Sequence, residues 1–169
     1  SFEFDLLREI TTHLPELYGH LDVLLTADFV AEVPGSQPSA YRFRSSLIQE
    51  VAYNSLLRKR RAALHEQIAH AIERLHAPHL DEYLPQLAHH YQLSENRQRA
   101  VEYLLRFGDR ATRLYANEDA VRCYQRSLEI LEELQADLAL KASVLEKLAD
   151  ASNALGEPEM ALDHWQAAL

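Results

Sequence analysis

His65-Glu66-Gln67-Ile68-Ala69-His70 comes within one residue of the H-E-x-x-H arrangement with which a helix holds zinc. Zinc needs both imidazoles on one helix face, as positions i and i+4 supply. At i+5 they diverge by roughly 140° on a helix of 3.6 residues per turn, so this pair makes no metal site. His76 with His79, and His89 with His90, have no convergent carboxylate or thiolate and read as helix-end and surface groups. Glu118-Asp119, Glu132-Glu133 and Glu157-x-Glu159 are where acid/base pairs would be sought. They fall at helix ends and exposed faces, where negative charge suits helix N-termini and water and no burial pushes a carboxyl into a catalytic range. No Ser-His-Asp set emerges from spacing, and none of the four glycines belongs to a phosphate-cradling cluster. The expectation is a segment with no catalytic residue, no metal and no cofactor of its own.

Charge is the next constraint. Arg58-Lys59-Arg60-Arg61 is the strongest charged run. It could meet nucleic acid, an acidic partner or the body of a larger protein. Alternatively it is a solvated helix start whose arginine stems cover apolar surface. Four adjacent positions point all round a helix, so at least one must face inward or lie along the joint, and the acidic remainder of the chain favours the structural use. Residues 1–80 carry eight Lys/Arg against ten Asp/Glu, and residues 81–169 carry nine against sixteen, which divides the net charge of −9 into −2 and −7. So acidic a chain is repelled by phosphate backbones, which disfavours nonspecific nucleic-acid binding. The single cysteine, Cys123, cannot form an internal disulfide, and no apolar run approaches a bilayer span. A cytoplasmic location and no membrane partner are expected.

The elements that must position these residues follow from pattern. Residues 2–27 read as short helices: Phe4, Leu7 and Ile10 share one face, Pro15 suits the first turn of a second helix, and Leu17, Leu21, Leu24 and Leu25 define a third. Phe29–Val33 reads as a strand, 34–39 as a turn-rich loop and Tyr41–Arg44 as the returning strand, with Tyr41 and Phe43 on one side and Arg42 and Arg44 on the other. Leu47, Val51 and Leu56 with Ile48, Ala52 and Leu57 then recur at helical spacing. From residue 58 onward the chain reads as helices only. One ends near Pro78, one starts near Asp81, Ser94-Glu95-Asn96 makes a break, and a long pattern covers 97–115. Asn117 is placed to cap the next helix, Gly156 to stop a later one, and Pro158 to open the last. Mainly α with one small β-hairpin is the expected class, divided at 1–57, 58–80 and 81–169.

The helical part repeats itself. Leu145-x-x-Leu148-Ala149 is followed by Ala161, Trp165 and Ala168; Leu104-x-x-Phe107-Gly108 by Ala120, Tyr124 and Ser127; Leu87-Ala88 and Tyr91 by Ala100 and Leu104. This large, large-small, then small-aromatic-small order resembles the tetratricopeptide (TPR) repeat. The step from Ala120 to Ala161 exceeds the usual period of about 34, so long helices in an irregular register are expected, with 97–115 serving both neighbours. Ala167-Ala168-Leu169 lacks the polar face of a capping helix, so the array is expected to continue.

Tyr41–Arg44 followed by Ser45-Ser46-Leu47-Ile48-Gln49-Glu50-Val51-Ala52-Tyr53 resembles the last strand and following helix of the winged-helix domain in STAND-class (AAA-type) signalling ATPases. In that class a nucleotide cyclase or kinase domain commonly precedes the winged helix and a TPR array follows it. The resemblance implies a winged-helix-like domain that acts as a regulatory joint, with ATP or ADP held elsewhere in a parent protein. A His that contacts the bound diphosphate opens the post-wing helix in the family; the matching position here is Ser45, which can donate one hydrogen bond but adds no positive charge. The implied function is a noncatalytic regulatory and protein-interaction segment of a larger signalling ATPase or cyclase; the alternative is part of an ATP-dependent transcriptional activator whose DNA-binding domain lies outside the chain. The would-be recognition helix over 16–28 carries Glu16, Asp22 and Asp28 and no Lys or Arg, which argues against DNA binding through it. The repeat offsets put Glu102, Arg106, Asp109 and Arg113 on one wall of a partner groove and Glu146, Lys147, Asp150 and Asn153 on the next. Another domain of the parent protein, or a peptide, is the expected occupant. Surface pairing of Glu102 with Arg106 and of Asp109 with Arg113 is the plainer use of the same charges.

Overall fold

Alternating aromatic and charged residues make 40–43 the centre of a small sheet. The computed structural model describes residues 2–11, 16–37 and 39–168. Strand β2 (Val30–Glu32) pairs antiparallel with β3 (Ala40–Phe43), Val30 opposite Phe43 and Glu32 opposite Tyr41. A third strand, β1 (Phe2–Glu3), closes the other side of β3, with Phe2 opposite Tyr41. The order is β1-β3-β2, so the expected hairpin forms but is widened by residues that read as helix. The cause is aromatic packing: the Phe2 ring stacks 5.9 Å from Tyr41 and lies 6.2 Å from Phe43. A backbone bond from the Phe4 amide to the Ser39 carbonyl at 2.8 Å continues the pairing. Two residues are too few to show a period-2 pattern.

Within residues 1–80, one compact unit, the sheet is accompanied by α1 (Phe4–Ile10), α2 (Leu17–Thr26), α3 (Ser46–Ser55) and α4 (Arg58–Leu75). The helical start proposed at Pro15 lies outside the described residues. Helix α1 packs on α4, and Arg74 reaches Glu9 at 2.9 Å. Leu21 of α2 and Val30 of β2 are buried, as are Ala69, Ala71 and Ile72 of α4. Helix α3 buries nothing. A 3-10 segment over Ala77–Tyr83, kinked at His79, occupies the start expected near Asp81, and the α-helix itself begins at Leu84.

Residues 81–169 form the second unit. Its helices are α5 (Leu84–Leu93), α6 (Arg97–Arg113), α7 (Asn117–Glu133), α8 (Leu138–Ala154) and α9 (Pro158–Ala168), each packed on the next. Most positions that repeat in the sequence are buried, namely Leu87, Ala88 and Tyr91; Leu104, Gly108, Ala120, Tyr124 and Ser127; Leu148, Ala149 and Ala161. Phe107 and Leu145 are half-buried and Trp165 is exposed. Helix α6 packs against both α5 and α7. Tyr91 and Tyr103 stack with centroids 5.2 Å apart and planes within 3°. This is a set of helical repeats.

Three successive helices stop in the same way. After α6, α7 and α8 the chain turns left-handed at Tyr115 (φ 59), Gln135 (φ 52) and Gly156 (φ 82). The next amide then reaches back five residues: Ala116 to the Ala111 carbonyl at 2.9 Å, Ala136 to Leu131 at 2.9 Å, Glu157 to Ser152 at 3.1 Å. These are Schellman closures. Asn117 does not cap α7 as expected; Ala116 holds the cap position with no side-chain bond, because the closing turn consumes the residues before it. Asn96 does cap α6, accepting from the Arg99 amide at 3.3 Å.

Gly108 admits no side chain without rearrangement. A Cβ there would stand 2.7 Å from the Tyr124 ring. Gly108→Ala is therefore expected to lower stability by about 1–3 kcal/mol. Tyr115→Gly removes a left-handed side chain that is 88% exposed, and is expected to raise stability by about 0.5–1 kcal/mol. Urea unfolding of the two variants checks both signs.

Candidate functional site

Of the groove residues expected from sequence, the fold brings two from different helices into direct contact. Lys147 of α8 donates to both carboxylate oxygens of Asp109 on α6, at 2.7 and 2.8 Å. The Tyr124 hydroxyl of α7 donates to the same carboxylate at 2.9 Å and lies 3.3 Å from Thr112 Oγ1. Asp109 is thus the hub of three helices. It does not pair with Arg113, its i+4 neighbour, since Lys147 offers a charge across the helix interface. Burial is the first cause that pushes the Tyr124 phenol up, to about 12; the Thr112 hydrogen bond works against the shift, and the bond to Asp109 and its negative charge add to it.

Arg106 turns the other way, to Asp81 at 3.2 Å and over the Tyr103 ring at 5.2 Å, while Glu102 holds Arg99 at 2.8 Å and stands 4.0 Å from Arg106. Arg113, Glu146, Asp150 and Asn153 are exposed. The eight residues therefore divide into a joint that locks α6 to α8, a pair of clasps on α6, and four exposed polar side chains.

The basic run divides too. Arg58, Lys59 and Arg60 are exposed. Arg61 folds back, its guanidinium 3.0 Å from Asn54 Oδ1 and 4.9 Å from the centroid of the Tyr53 ring. Tyr53 in turn shares a 3.0 Å hydrogen bond with Nε2 of buried His65. The first histidine of the near-zincin run is a core partner of a tyrosine, and no group of three or more His, Cys, Asp or Glu among the described residues is placed to hold a metal. Ser45 is the N-cap of α3, its Oγ accepting from the Leu47 amide at 3.2 Å. Helix α2 carries Asp22 and lacks Lys and Arg throughout Leu17–Thr26.

One feature had no sequence signal. A cavity of about 410 Å³ opens between α5 and α7, with His89 and Gln92 on one wall, Arg126 on the other, and Leu104, Phe107 and Cys123 beneath. None of the eight expected groove residues lines it. Burial, with the nearby Asp119 charge second and Arg122 opposing, pushes the Cys123 thiol up to about 11, so it is a thiol at neutral pH rather than a nucleophilic thiolate. The spacing of residues on three helices sets the cavity, and no single helix pattern reports it.

No protein-family model matches this chain, and no curated protein matches it. Among the described residues no helix is long and apolar enough to cross a membrane.

Breaking the hub has a defined signature. Lys147→Glu sets two carboxylates against each other and is expected to cost about 1 kcal/mol, whereas the swapped pair Asp109→Lys with Lys147→Asp recovers part of it. A raised phenol pKa contributes stability that is full below its unfolded value and lost as pH rises through the folded one. Stability should accordingly fall as pH rises from 10 through about 12. Tyr124→Phe should flatten that part of the profile; an unchanged profile would show that another group sets it.

Proposed function

We propose that this chain is a noncatalytic regulatory and protein-interaction segment of a larger signalling protein of the ATPase or cyclase type. In this reading residues 1–57 are a winged-helix-like domain, 58–80 a connecting helix and 81–169 a TPR-like array. The observation that carries it is the burial of the large-small positions Leu104 and Gly108 of α6 and Leu148 and Ala149 of α8, and of the small positions Ala120 of α7 and Ala161 of α9. The aromatic Tyr124 is buried in the first pair and Trp165 is exposed in the second. Such stacks contact only their neighbours, so each pair leaves one face available to a ligand. The strand-to-helix run at 41–57 supports the regulatory half of the reading. Nucleotide would be bound by another domain of the parent protein. Ser45 would then contribute a hydroxyl there while its oxygen caps α3.

Two measurements test this. Purified chain incubated with magnesium and ATP should release neither phosphate nor pyrophosphate above background, and turnover that scales with its concentration would sink the noncatalytic reading. Added to the parent protein lacking this segment, the chain should associate and restore the regulated rate. A parent protein whose rate and regulation are the same with and without the segment would rule out a regulatory role.

A further inference from the structure

The corner where α3 meets α4 carries two surfaces that the first unit leaves open. Leu47 and Val51 stand one helical turn apart on α3 and are 66% and 62% exposed; Leu57, in the connector, is 80% exposed. Scattered apolar residues are ordinary on a surface, but these border a block of charge. Arg58, Lys59 and Arg60 follow at once, all exposed, and none forms an ion pair with a described residue. Arg61 is braced by neutral groups, Asn54 and Tyr53, so its charge is fixed in place and uncompensated. Helix α4 begins without an acidic residue in its first turn and without a side-chain cap, so its amide dipoles add to the positive potential.

We propose that this corner docks an amphipathic helix of a protein partner, one whose apolar row is bordered by Asp and Glu. The apolar row of the partner would cover Leu47, Val51 and Leu57, and its carboxylates would meet Arg58, Lys59 and Arg60. The inference rests on the protein-interaction reading above and adds the site and the chemistry of the partner. An anionic lipid surface fits less well. A helix that lies on such a surface carries cations along its polar face, whereas α3 has Gln49, Glu50 and Asn54 and no Lys or Arg. Its cations are grouped beyond one end, which matches a discrete acidic segment.

The test uses the whole chain and a fluorescein-labelled designed peptide of about 18 residues, with leucines at i, i+3 and i+4 spacing and glutamates elsewhere. A second peptide has lysine for each glutamate. Because the chain is −9 overall, nonspecific attraction favours the lysine peptide. Local recognition at the corner favours the glutamate one. By fluorescence anisotropy the glutamate peptide should bind at least about tenfold more tightly, and its affinity should drop as salt rises from about 0.05 to 0.3 M. Arg58→Glu with Lys59→Glu and Arg60→Glu should weaken it about tenfold or more and strengthen the lysine peptide. Leu47→Ser with Val51→Ser should weaken the glutamate peptide while leaving the far-UV circular dichroism spectrum as it is. Equal binding of the two peptides, or binding indifferent to both corner variants, overturns the inference. If the glutamate peptide is instead lost on Lys147→Glu, the corner is not the site although the protein-interaction reading stands. Binding of phosphatidylserine vesicles, lost in the triple charge variant, with no binding of either peptide, overturns the inference in favour of a lipid surface.

Discussion

The Tyr124 ring against Gly108 is the contact on which the arrangement of α6, α7 and α8 depends. Burial of apolar area drives these helices together but is non-directional and would tolerate several registers. A ring that occupies the space where a Cβ would stand tolerates one. Gly108 and Asp109 are consecutive, so the same contact that seats the ring brings the phenol hydroxyl to the Asp109 carboxylate, and that carboxylate then holds Lys147 of α8. Packing sets the distance and polar bonds set the rotation. The repeated closures at Tyr115, Gln135 and Gly156 do for the helix ends what this joint does for their middles.

The first unit follows a different economy. Its sheet is short, and its aromatic residues gather on one side of it: Phe2 on Tyr41 and Phe43, Phe4 on Tyr18 and Tyr41. Helix α3 contributes nothing to a core and is steadied from its C-terminal end, where Tyr53 is pinned between His65 and Arg61. Rigid bracing combined with an uncovered apolar row is what a binding surface requires, since an ordered helix gives up little entropy on association. A surface of this kind costs the isolated chain the hydrophobic stabilisation that covering the row would provide.

Charges illustrate how one-dimensional spacing misleads. Asp109 and Arg113 have the i,i+4 separation of a helix-surface pair, yet Asp109 turns to a lysine 38 residues along the chain. The local partner is held only by side-chain rotamers, whereas Lys147 is delivered by the packing of whole helices. Arg106, expected on a groove wall, is spent on Asp81 for the same reason. Among the four basic residues Arg61 is the one that lies along the joint, folded back on Asn54 and Tyr53 of α3, while Arg58, Lys59 and Arg60 stay exposed.

By itself the sequence determined the mainly helical class, the hairpin, the break at 94–96, the stop at Gly156, the start at Pro158 and the repeated buried positions. Each is written in local dihedral preference or in a period of two or 3.6. Tertiary structure alone decided the edge strand at Phe2–Glu3, the loss of the Asn117 cap to a helix-closing turn, the union of Asp109 with Lys147, the cavity over Cys123 and the exposure of Leu47 and Val51. A helix pattern states which residues share a face. It does not state whether anything covers that face, nor which distant side chain arrives at its polar edge, because both are set by how separate elements pack.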